Sequence, residues 1–261
     1  MSGPPELQLR RLFARGGMAD LFEGVLEARR VLVKTVRADV NEVEARAMAA
    51  ALKDEVEGLS RVSHPGIPPV LRVWFDKWKP FILFDFVDGI DISRVEAGGH
   101  SVPDPVLVEV ADQVLEILEA VHRPGLVHRD ISPENILLGG DGRVRLVDFG
   151  LSADVQGTTG DLGPRKGKKR YAAPEQWRGQ APDPRADFYA LARSLRSVRG
   201  GERSLRFGWW LVRGSMRWPG LRPRDAESWR RGLTGLERRS LGSWLKSCYP
   251  AGFEALECSR P

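Results

Sequence analysis

The chain has 261 residues, 42% of them hydrophobic, enough for one large domain or two lobes around a buried core. No unbroken apolar run approaches the ~20 residues that cross a bilayer, and the opening MSGPPELQLR lacks a signal peptide's apolar stretch, so a soluble cytoplasmic protein with no membrane partner is expected. A formal charge of +5 and a pI of about 9.5 suit any anionic partner and indicate nucleic acid no further than that, while Cys248 and Cys258 are too few for a disulfide framework or a CxxC metal site.

Residues 7 to 36 alternate apolar and polar side chains well enough for three strands, LQLRRLFA, LFEGVLE and RVLVKTV. Between the first two lies ARGGMAD, where side-chain-poor backbone can approach phosphate groups through its amides. Asn41 and Glu44 form an N-cap and capping pair for a helix reaching about Val62, with Ala and Leu through its middle. Two further strands, PVLRVWF and PFILFDFV, flank the polar turn DKWK. After a loop marked by Gly98 and Gly99, Asp104 and Pro105 begin a long helix whose stripe is Leu107, Val110, Val114, Leu118 and Val121.

The stretch HRDISPENILLGGDGRVRLVDFG, His128 to Gly150, follows. The segments ILL and VRLV flank GGDG, so a small hairpin is expected to carry a loop at each strand end. Asp130, Asn135 and Asp148 then lie on two neighbouring turns. Two carboxylates and a carboxamide are what phosphoryl transfer from Mg-ATP requires: one carboxylate for the acceptor hydroxyl, and hard oxygens for magnesium.

His128-Arg129-Asp130 with Asn135, and Asp148-Phe149-Gly150, resemble the catalytic and metal loops of eukaryotic-like protein kinases, and HRDISPENIL is close to the bacterial serine/threonine branch. The resemblance covers roughly residues 9 to 232. It implies an α+β, bilobal fold: an N-lobe over residues 1–87 with a small antiparallel sheet and one main helix, and a larger, mostly helical C-lobe over 88–261, with Mg-ATP in the cleft. The family's three loop glycines fall on Ala14, Gly16 and Ala19, with Gly17 beside the middle one. Lys34 takes the place of the ATP-anchoring lysine and Glu55 that of its salt-bridging partner, Glu57 and Glu44 being the competing assignments. Phe84 is the gatekeeper, Asp85 to Val87 the hinge facing adenine, and Leu137 belongs with the nucleotide-binding residues. Asp130 would orient the acceptor hydroxyl, Asn135 and Asp148 would bind magnesium, and His128 would pack beneath Phe149. Tyr171 to Glu175 resembles the end of the activation segment, Asp187 the buried aspartate that anchors the catalytic loop, and Arg222 the partner of Glu175.

Four departures qualify the resemblance. Leu32 replaces the alanine over the adenine ring and narrows that pocket. Ser132 stands where serine/threonine kinases carry a catalytic-loop lysine, while Lys168 stands where they carry a threonine, as though the two had traded places. Lys168 either reaches towards Asp130 and the transferred phosphate or is a solvated member of the basic run Arg165 to Arg170. Thr158 and Thr159 are candidate self-phosphorylation sites or loop filler. Between Asp187 and Arg222 the chain is short, and Trp209, Trp210 and Trp218 interleaved with arginines form either core or a partner surface. The function implied is transfer from ATP to a serine or threonine of a protein substrate. A small-molecule kinase resembling aminoglycoside phosphotransferases and a pseudokinase binding module are the alternatives.

Overall fold

The computed structural model describes residues 6–17, 19–97, 102–150, 153–154, 170–181 and 183–198. Two compact units emerge, one of residues 1–63 and 68–86, the other of 64–67 and 87 onward.

The first unit is a five-stranded antiparallel sheet with one helix. Its strands are β1 (Leu7–Arg15), β2 (Ala19–Leu26), β3 (Arg29–Val36), β4 (Val70–Asp76) and β5 (Lys79–Asp85), in the order β1-β2-β3-β5-β4. Because successive side chains in a strand point to opposite faces, β3 and β5 feed two apolar clusters. Val31 and Val33 join Phe81 and Leu83 on one face, where Trp74 stacks on Phe81 with centroids 5.1 Å apart. On the other, Val36 and Ile82 meet Ala45, Ala49 and Leu52 of α1 (Glu42–Ser60). Those helix positions recur at the three- and four-residue spacing of one helical face. Asn41 caps α1 by accepting from Glu44 N–H at 3.0 Å. The helix stops two residues short of Val62 because the Arg61 and Val62 amides turn back to the Gly58 and Leu59 carbonyls, a tightened last turn.

The second unit holds β6 (Gly89–Asp91), α2 (Ile92–Ala97), α3 (Asp104–His122), β7 (Leu126–Val127), a 3-10 turn at Pro133–Asn135, β8 (Ile136–Gly139), β9 (Val144–Leu146), β10 (Ala153–Asp154), α4 (Pro174–Trp177) and α5 (Arg185–Ser197). The α3 stripe is fully buried, as the periodicity predicts. The hairpin around GGDG is β8 with β9, and its root is closed by Val147 N–H donating to the Asn135 carbonyl at 3.0 Å. Short strands that the sequence did not announce complete two small sheets, β6 beside β8 and β10 beside β7. Among the described residues no helix is long and apolar enough to cross a membrane.

The β2–β3 turn is built against its residues' preferences. Leu26 pairs with Arg29, leaving a two-residue loop in which Glu27 (φ 49°) and Ala28 (φ 68°) are both left-handed. That geometry is the province of Asn-Gly. Glu27→Asn combined with Ala28→Gly is therefore expected to stabilise the chain by about 1 kcal/mol and raise the thermal midpoint by a few degrees, as scanning calorimetry would register; an unchanged or lower midpoint contradicts the strain.

Candidate active site

In the first unit, Lys34 on β3 and Glu55 on α1 form a closed ion pair. Nζ lies 2.8 Å from both Glu55 oxygens, with side-chain exposures of 9% and 2%. Of the three acids that competed for this role, Glu44 and Glu57 are exposed on α1 and only Glu55 faces the sheet. Gly16 N–H donates to the Ala19 carbonyl at 2.8 Å, and a Cβ on Gly16 would press to 3.2 Å on that oxygen, whereas one on Gly17 would meet open space. The tight turn thus depends on Gly16. Arg15 ties the same turn down by donating to Asp20 at 2.9 Å.

Two further features of this sheet follow from its register. Leu32 and Phe84 are register partners across β3 and β5, so both large side chains rise from neighbouring positions on one face. Next to Leu32, Glu23 is a buried carboxylate shared by Arg11 at 2.9 Å and Arg30 at 3.1 Å. Burial pushes its carboxyl up, but the two guanidinium hydrogen bonds outweigh that and leave it below the ordinary range. Arg30 also lies 4.0 Å from the centre of the Phe86 ring. At the hinge, Asp85 is clasped by Arg29 through two bonds of 2.9 and 2.6 Å, and its N–H donates to the Pro69 carbonyl, so that amide is spoken for. Val87, the last hinge residue, is half-buried and opens the second unit. Leu137 is half-buried on β8, register partner of Asp91 and Arg145.

The second unit presents Asp130, Asn135 and Asp148 from one hairpin root. Asn135 uses its amide nitrogen on Asp130 alone, donating to the carbonyl at 2.8 Å and to Oδ2 at 3.0 Å. Its amide oxygen is not engaged in that contact. Asp148 is an exposed carboxylate on left-handed backbone, φ 65°. Among the described residues no three His, Cys, Asp or Glu side chains cluster as a complete metal cage. The Asn135 amide oxygen and the Asp148 carboxylate are hard oxygen donors of the kind a divalent metal ion takes.

The loop carrying Asp130 has almost no regular secondary structure, so its main-chain groups must find other partners. Side chains supply them for six of the eight amide and carbonyl groups of residues 128–131. Asp187 accepts from the His128 and Arg129 amides at 2.9 and 2.8 Å. Gln176 donates to the Arg129 carbonyl at 2.9 Å, Asn135 to the Asp130 carbonyl at 2.8 Å and Ser194 to the Ile131 carbonyl at 3.5 Å. His128 Nδ1 accepts from the Asp130 amide at 3.3 Å. Asp187 is itself fully buried beside His122, 2.8 Å away; burial raises its carboxyl, and the His122 hydrogen bond with the surrounding amides brings it back below the ordinary value.

His128 is enclosed beneath Phe149, ring centres 4.4 Å apart, and complete burial lowers its pKa despite smaller upward pulls from Asp187, Asp148 and the Val147 backbone. The Nε of Arg129 is buried without a hydrogen-bond partner. Ser132, the departure from the catalytic lysine, is wholly buried. Lys168, Thr158, Thr159, Arg222, Trp209, Trp210, Trp218 and both cysteines lie outside the described residues.

Sequence reasoning missed Glu23, Gln176 and Ser194. Gln176 had a signal: it is the third residue of a helix opening at Pro174, the capping-box position. Glu23 and Ser194 had none, since an acid in a strand and a serine in a helix are ordinarily solvated.

The profile of the protein kinase domain family matches residues 8–205. The chain is 31% identical over 192 residues to a probable serine/threonine-protein kinase of Streptomyces coelicolor, covering 70% of this chain and 28% of that one. It is 27% identical over 192 residues to probable serine/threonine-protein kinase PknB of Lactococcus lactis (72% and 30%) and 31% identical over 195 residues to serine/threonine-protein kinase PknH of Mycobacterium bovis (74% and 32%). With the match over residues 8–205, the chain belongs to the protein kinase domain family and has that family's α+β, bilobal fold. It spans about a third of the length of the curated relatives it matches.

Two outcomes follow from the buried groups. Lys34→Met strands the Glu55 carboxylate and is expected to cost about 3–5 kcal/mol in denaturant unfolding, most of which Glu55→Leu added to it restores; equal stability of the single and double variants contradicts a buried, mutually dependent pair. For His128, a folded pKa below the unfolded value of about 6.5 means that stability is full above that pH and falls as the solution is acidified, because only the unfolded chain takes up the proton readily. His128→Phe should flatten the decline between about pH 6.5 and 5 in a series of thermal midpoints; an unaltered slope places the titrating group elsewhere.

Proposed function

We propose that this domain transfers the γ-phosphate of Mg-ATP to a serine or threonine hydroxyl of a protein substrate, on the cytoplasmic side where ATP is available, within the two lobes expected at 1–87 and 88–261. The observation that carries it is the fixed Asp130: side chains of α4 and α5 hold the main chain of Arg129 just before it, and Asn135 bonds both its carbonyl and its carboxylate. A carboxylate so restrained can accept the hydroxyl proton as the oxygen attacks phosphorus; the bond to the ADP oxygen breaks and ADP leaves. Lys34, oriented by Glu55, binds phosphate oxygens, and the Gly16 turn offers amides to them. Asn135 and Asp148 would hold magnesium, which neutralises charge on the phosphates. Asp85, Val87 and Leu137 would contact the adenine.

The covered activation-segment end supports a protein acceptor: α4 opens within the Tyr171 to Glu175 motif and is bonded to the catalytic loop. Since Ser132 is enclosed and carries no charge, Lys168 supplies the missing cation in this reading. Phosphorylation at Thr158 or Thr159 would place about two negative charges beside the basic run and order it. One observation favours a second reading, a regulatory module of low turnover: Leu32 beside Phe84 narrows the base side of the sheet.

Labelled ATP with a mixed protein acceptor tests these together. Asp130→Asn and Asp148→Asn are each expected to lower transfer by about 100-fold or more, and Lys168→Met to abolish it with ATP-induced thermal stabilisation retained. Full transfer by either aspartate variant overturns the assignment. No transfer by the wild-type chain, with ATP-induced stabilisation intact, supports the module.

A further inference from the structure

Gln176 makes two hydrogen bonds, one of them to the loop that carries Asp130. Its Oε1 accepts from the Ala173 amide at 2.9 Å, and its Nε2 donates to the Arg129 carbonyl at 2.9 Å. The orientation of the carboxamide is fixed by chemistry, since an N–H needs the oxygen and a carbonyl needs the nitrogen. The bond at Ala173 is one half of a capping box; alanine has no side chain to return the other half.

The other end carries the consequence. Arg129 sits at φ 68°, a conformation that a residue with a Cβ holds only where its surroundings impose it. Both of its peptide groups are pinned from different helices: Asp187 of α5 takes the amide at 2.8 Å and Gln176 of α4 takes the carbonyl. The Arg129 carbonyl belongs to the peptide plane that leads into Asp130. Turning that plane turns the Cα–Cβ direction of Asp130, the first step of its side chain. Asp187 cannot do this alone, because its two bonds fix the peptides before Arg129; the one after it is held at its carbonyl by Gln176 at 2.9 Å and at its amide, the Asp130 N–H, by the longer 3.3 Å bond to His128 Nδ1.

We infer that Gln176 is a positioning residue for phosphoryl transfer: its carboxamide couples the start of α4 to the left-handed Arg129 peptide and so aims the Asp130 carboxylate. The inference rests on the proposed kinase reading, and the coupling it describes is not needed for nucleotide binding.

The experiment compares wild type, Gln176→Met and Gln176→Glu as full chains, measuring kcat, ATP KM and thermal midpoint from pH 8 to 5.5. Methionine keeps the volume and removes both hydrogen bonds, so kcat is expected to fall about 10-fold or more with ATP KM within twofold. The Gln176→Glu carboxylate still accepts from Ala173 but confronts the Arg129 carbonyl with a second acceptor. Protonating it restores a donor there. The ratio of Gln176→Glu to wild-type kcat is therefore expected to rise as pH falls, by about 5-fold or more across the range, whereas the Gln176→Met ratio stays flat. Loss of kcat that tracks the thermal midpoint alone, or equal ratios for the two variants at every pH, overturns the inference while leaving the kinase reading in place. Absence of transfer by the wild type overturns the reading, and the inference with it.

Discussion

The second unit of this protein depends on one buried carboxylate. Asp187 is removed from water beside His122, so its burial costs free energy that hydrogen bonds help to offset. It receives three: from the His122 ring and from two consecutive main-chain amides. Those amides would themselves be buried donors without it. Acceptor and donors therefore stabilise one another, and the segment between β7 and the 3-10 turn adopts a single path although it contains no helix or strand. Everything that segment presents, Asp130 above all, inherits its placement from a residue some sixty positions later in the chain.

A second arrangement of the same kind governs the first unit. Lys34 and Glu55 neutralise each other out of water, on a strand and a helix whose facing is set by small and branched apolar residues, Val36, Ala45, Ala49 and Ile82. The apolar packing determines how closely α1 approaches the sheet, and the ion pair determines where along that approach a positive charge rests. Neither would do so alone. Apolar contacts are tolerant of sliding, and an ion pair without burial contributes little to position. At Arg129 and Asp148 the same economy takes a conformational form: both stand in left-handed backbone, and both neighbour the polar groups that matter most.

Much of this was legible in the sequence because it rests on short-range rules. The alternation in 7–36, the cap at Asn41, the stripe on α3 and the hairpin around GGDG each declare their structure within a few residues, and the structure has them where the periodicity puts them. Glu55 could be singled out over Glu57 and Glu44 only through resemblance to a family, since all three lie on the same helix; burial distinguishes them at once. What escaped was long-range. The two-residue strands β7 and β10 have too little pattern of their own and exist because their partners are adjacent in space. Glu23 looked like a solvated strand position and is buried because Arg11 and Arg30 close over it from the strands on either side. Gln176 and Ser194 serve a loop that no local rule could have told them was near.

The hairpin of β8 and β9 adds a feature of a different sort. Asn135 and Asp148 leave from its root, which Val147 closes onto Asn135 and which Leu146 fastens to the Gly66 carbonyl at 2.8 Å. The far end, Gly139 to Gly142, is a surface turn touched by Gln113. Length added at that tip would be paid out away from Asn135 and Asp148, at the small entropic cost of a longer loop. The tip is thus the natural place for this domain to diversify or to accept a graft, since the spacing of those two side chains is set at the opposite end.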